Sequence, residues 1–120
     1  MSVGGPSILA VADALPLPSD LIELQRALHA ARQAVEDYGN KVAAERRELF
    51  PGEDQWRERA VWPEDGPERA ELTRLRAERD TFALQIRQHP VMQQALAEGC
   101  GKETQFALQK AGRENADGEA

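Results

Sequence analysis

Apolar residues recur along the first half of the chain at alternating steps of three and four. Leu21, Leu24, Leu28, Ala31, Val35, Tyr38, Val42 and Leu49 form one series, interrupted only by Glu45. That spacing places all of them on one stripe of a helix, as in a coiled-coil seam held for about four heptads. The pattern predicts a helix over 20–50, with Ser19 as its N-cap and Asp20 set against the first-turn N–H groups. Gly39 and Asn40 are poor helix formers, costing together about 1.5 kcal/mol relative to Ala, yet the register passes through them unbroken. Pro51 and Gly52 stop the helix.

A loop over 51–67 follows, acidic and carrying both tryptophans, Trp56 and Trp62. Pro67 suits the first position of a second helix, predicted over 68–89, where Leu72, Leu75, Phe82 and Ile86 repeat the spacing and Arg79 takes the polar slot. His89 and Pro90 end it and open a short helix over 90–98, which Gly99 terminates. A last amphipathic piece, 102–111, presents Phe106 and Leu108. Residues 1–18 read as an arm between glycine and proline punctuation, and 112–120 as a disordered tail. The expected fold is all-α: an antiparallel, coiled-coil-like helical hairpin with short accessory C-terminal helices.

Folding the two long helices back symmetrically about the loop sets Leu49 near Leu72, Val42 near Arg79 and Val35 near Ile86. Glu45 and Arg79 then fall within a turn of each other, an interhelical ion pair in one reading and two solvated side chains in the other. A two-helix seam of this size is half covered, so the same stripe is expected to support a homodimer.

Composition narrows the function. The net charge is −6, spread without a basic run, which argues against a general nucleic-acid binder. Arg69, Arg76 and Arg87 share a face of the second helix but are diluted by Asp80, so a small DNA-associated regulator is the alternative rather than the leading reading. Cys100 is the single cysteine, which excludes an intramolecular disulfide and fits a reducing compartment. The apolar stretch from Ile8 to Leu15 is broken by Asp13 and too short to span a bilayer, and a cytoplasmic protein is expected.

Chemistry-bearing constellations are missing from the pattern. His29 and His89 lie on different helices without the carboxylate partners of a di-metal bundle, and no metal or other cofactor is expected. Gly99-Cys100-Gly101-Lys102 lacks both the upstream glycine and the following Ser or Thr of a phosphate loop, and reads as a helix end and a turn. No nucleophile–base pair is apparent, so no catalytic residues are assigned and the chain reads as a non-enzyme. The candidate partner surface is therefore Leu21, Leu24, Leu28, Val35, Tyr38, Val42 and Leu49 with Trp56 and Trp62. The tryptophans either close the end of the hairpin or anchor a partner.

Trp62-Pro63-Glu64, then Glu71-Leu72-Thr73-Arg74-Leu75-Arg76, then Arg87-Gln88-His89-Pro90 form a pattern within residues 45–95. It resembles that of short uncharacterised helical proteins carried on actinobacterial plasmids and integrated mobile elements beside transfer genes. The resemblance implies an accessory role in plasmid transfer or spread and supplies no catalytic residues.

Overall fold

A computed structural model describes residues 13–118, with side chains as far as Glu114. The described part is all-α, with five helices: α1 (Ser19–Leu49), α2 (Trp56–Ala60), α3 (Pro67–Gln88), α4 (Pro90–Ala97) and α5 (Gly101–Gly118). A 3₁₀ turn, Glu53–Gln55, leads into α2. The long α1 packs against α3 in a hairpin, and α4 and α5 are the short C-terminal additions. The expected arm lies largely outside the described residues.

The chain divides into two compact units, and α1 and α3 contribute to both. The first unit takes residues up to Leu28 and from Phe82 onward. Its core is Leu21, Leu28, Ile86, Met92 and Leu108, flanked by Leu17, Leu24, Phe82 and Val91. Residues 13–18 are irregular here, and the Leu15 N–H donates to Thr104 Oγ1 at 3.1 Å, which docks this stretch on α5. The carbonyl of Pro18 accepts from Ile22 N–H, so the first turn closes on Pro18, and Ser19 is the first helical residue rather than the cap.

The end of α4 explains the burial of Cys100. Gly99 takes φ = 80°, its N–H donates to Leu96 C=O, and Cys100 N–H donates to Ala95 C=O. This is a Schellman termination, in which the residue after the left-handed glycine meets the last turn in apolar contact. Cys100 and Ala95 are accordingly 3% and 0% exposed. The Gly-Cys-Gly stretch is a helix end and a turn, as its sequence suggests.

The second unit, His29–Thr81, buries Ala31, Val42 and Leu72 and contains the return between the long helices. α1 runs through Gly39 and Asn40 without a break. No atom would meet a Cβ at Gly39 within 4 Å, so its cost is one of propensity alone.

Three expectations are corrected. The first concerns register. Symmetric folding sets Trp62 against residue 59, but its ring instead meets that of Tyr38, with centroids 6.3 Å apart. In the other unit His89 meets Asp20, where the symmetric pairing sets 32. The cause lies in the return itself: Arg46 binds the carbonyls of Glu58, Arg59 and Val61, so by residue 61 the chain is already back beside α1. Second, Glu45 and Arg79 do not pair; Arg79 Nε lies 2.9 Å from Asp80 Oδ1, its own neighbour. Third, the expected tail from 112 is helical through Gly118. Gly112 is buried, and a Cβ there would stand 2.9 Å from Gln25 Cγ, so the absence of a side chain lets α5 continue close against α1.

Candidate interaction surface

The stripe of α1 does not form the open seam that a dimer would share. Leu21, Leu28, Ala31 and Val42 are buried within the single chain, and Leu24, Val35 and Tyr38 are half-buried. Only Leu49, at 69% exposure, faces water. The proposed dimer seam is thus mostly intramolecular core, covered by the helices that the chain supplies itself.

The exposed large apolar side chains of the second unit instead lie in the return between the long helices, from the last residue of α1 to the residue after α2. Trp56 and Val61 are 57% and 61% exposed and join Leu49 there. They stand on an arginine framework. Arg46 Nη2 donates to Glu58 C=O and Val61 C=O, each at 2.6 Å, and Nε reaches Glu58 and Arg59 C=O at 3.1 Å. Arg59 Nη1 donates to Phe50 C=O at 2.6 Å and Gly52 C=O at 2.7 Å. Arg46 thus binds carbonyls in and just past the last turn of α2, and Arg59 binds carbonyls just past the end of α1, where backbone acceptors lack helical partners and partial negative charge collects. α2 has five residues, too few to persist in isolation, and these bonds hold it.

The two tryptophans stand in different environments. Trp62 is half-buried and meets the Tyr38 ring edge-on, with centroids 6.3 Å apart, while its carbonyl accepts from Arg69 Nη2 at 3.0 Å. It closes the return against α1. Trp56 is exposed, and the Arg57 guanidinium lies over its ring at 5.1 Å from the centroid. An exposed tryptophan backed by arginine is the composition of an interface anchor. A depression of about 390 Å³ in this unit is lined by Arg46, Phe50, Arg57, Glu58, Val61 and Pro63. Burial raises the Tyr38 pKa above 10.0, with Glu68, Glu71 and Glu45 adding to the rise, so the hydroxyl stays neutral.

The first unit has an apolar groove of about 400 Å³, with Leu84, Met92 and Leu96 among its walls and Arg87 as its charged lining residue. Leu84 and Leu96 are 43% and 66% exposed, and Phe106 on α5 is 66% exposed.

His89 and Asp20, far apart in the chain, meet through their side chains. His29 is exposed on α1. Among the described residues no group of three His, Cys, Asp or Glu is placed to hold a metal ion, and no helix is long and apolar enough to cross a membrane. The basic face of α3 is thinner than its sequence suggests: Arg69 is half-buried on the Trp62 carbonyl, and Arg74 pairs with Glu71 and Glu78.

Sequence patterning missed Phe50 and Val61 at this end of the molecule, because both lie outside the heptad series. It also missed Arg46, and it read Arg59, with Arg57, as a contributor to a partner surface rather than as a ligand of the Phe50 and Gly52 carbonyls. Set against protein-family models, curated proteins and solved structures, the chain matches none.

Proposed function

We propose that this is a non-enzymatic interaction protein that docks on a protein partner through Leu49, Trp56 and Val61. The observation that supports it is the exposure of these three large apolar side chains, each more than half open to water, on a local structure made rigid by Arg46 and Arg59. A rigid exposed tryptophan loses little entropy on binding, which suits it to an anchor. A second copy of the chain is the first partner to test, in an assembly built on this surface rather than on the α1 stripe. The resemblance to proteins of actinobacterial plasmids gives the reading its biological setting, an accessory role in the transfer or spread of a mobile element.

Sedimentation velocity over a wide concentration range tests the self-association. A mass that rises above 13.3 kDa with concentration, and falls back in Trp56→Ala and Val61→Ser, is expected. A mass fixed at 13.3 kDa throughout removes the second copy as partner. A pull-down from the host in which Trp56→Ala retains the same partners as the wild type removes the surface altogether.

A further inference from the structure

His89 has both ring nitrogens engaged, and in opposite senses. Nδ1 accepts from the N–H of Val91 at 3.1 Å, the side-chain N-cap of α4. That bond requires a bare Nδ1, so the proton of the neutral ring sits on Nε2, where it is donated to Asp20 Oδ2 at 3.0 Å. Pro90 follows directly and has no N–H, so Val91 supplies the first backbone donor of the helix, and the ring is what satisfies it.

We propose that His89 is a proton-sensitive cap, and that protonating its ring releases the first turn of α4. A proton added to the neutral ring goes to Nδ1, the one nitrogen with a free lone pair. It converts the acceptor into a donor aimed at another donor, and the Val91 N–H loses its partner. The new positive charge also lies at the positive end of the helix dipole. Of the charged groups on the surrounding elements, Asp20 on α1 faces the ring through the Nε2 bond and Arg87 stands in the last turn of α3; α4 itself has no ionisable side chain. Asp20 does not restore the cap, because it binds the other nitrogen.

The turn released contains Val91 and Met92. Val91 packs on the core of the first unit, and Met92 belongs both to that core and to the wall of the apolar groove. Acid therefore loosens one wall of the groove while α3 and α5 stay in place, so the groove is open to control by a proton.

The test uses the full chain and NMR. The His89 ring resonances report its protonation, and amide exchange reports protection at Val91 and Met92, corrected for the intrinsic pH dependence of exchange. Protection at both amides is expected to fall on the order of tenfold, in step with the His89 ring, as for the loss of a side-chain cap. In His89→Asn, whose side chain caps a helix without titrating, protection stays flat across the same range. Val91 protection that ignores the ring in the wild type overturns the proposal, as does an unchanged pH dependence in His89→Asn. Protection that follows the exposed His29 ring instead overturns it too.

Discussion

Arg46 and Arg59 tie the two sides of the return together: Arg46 binds the carbonyls of Glu58, Arg59 and Val61 in and just past the last turn of α2, and Arg59 those of Phe50 and Gly52 just past the end of α1. Neither has a carboxylate among these partners. The arrangement is therefore a structural joint in the return segment and differs from a surface ion pair, which adds little. Arg46→Ala leaves several carbonyls without a donor, and is expected to destabilise the fold by about 1–2 kcal/mol in urea denaturation. Arg46→Lys recovers less than half of that, because one ammonium cannot reproduce the fork. Full recovery by lysine would show that charge alone matters.

Trp56→Ala and Trp62→Ala are expected to separate stability from binding. Trp62 packs on Tyr38 and its loss costs about 1–3 kcal/mol, whereas Trp56 is exposed and its loss shifts the denaturation midpoint by less than about 0.5 kcal/mol. Equal destabilisation by the two variants would contradict the division of roles described here.

Two helical glycines are expected to respond to alanine with opposite signs. Gly39 has open space where a Cβ would stand, so Gly39→Ala stabilises by about 0.5–1 kcal/mol. At Gly112 the new Cβ meets Gln25 Cγ at 2.9 Å, and Gln25 is 5% exposed, so the clash outweighs the gain in propensity and the variant loses about 1 kcal/mol. Thermal midpoints of the two variants check the pair; a stabilised Gly112→Ala would mean that α5 does not lie against Gln25.

Asp20 has a pH signature of its own. The His89 hydrogen bond is the main cause that holds its carboxyl below the ordinary 3.8. A carboxyl depressed in the folded state contributes stability above its unfolded pKa and loses it as pH falls through the folded one. Asp20→Asn should thus be less stable than the wild type near neutrality, with the gap closing as pH drops below 3.8. Urea midpoints of both proteins at neutral and strongly acidic pH measure this, and a gap that persists in acid would place the effect elsewhere than in the Asp20 charge.

Much of the secondary structure is legible in the sequence because its causes are local. The three-four spacing from Leu21 to Val42 defines a helical face whatever surrounds it, and α1 follows that face across Gly39 and Asn40. Proline and glycine mark the ends: Pro67 opens α3, His89 and Pro90 open α4, and Gly99 closes it. Leu49 shows where this reasoning stops. It continues the periodicity faultlessly and still ends 69% exposed, because periodicity records the face of a helix and says nothing of how far along that face a partner reaches.

The sequence alone thus determined that the chain is helical, where the long helices run and which face of each is apolar. Each of those follows from backbone propensity and spacing within a few turns. Tertiary structure alone decided the register of α1 on α3, the exposure of Trp56 against the packing of Trp62 on Tyr38, the joining of His89 to Asp20, and the continuation of α5 past Gly112. These depend on contacts between residues far apart in the chain, such as an arginine on the carbonyls of a later helix or a missing Cβ beside a glutamine. Local spacing has no means of encoding which distant group will stand opposite.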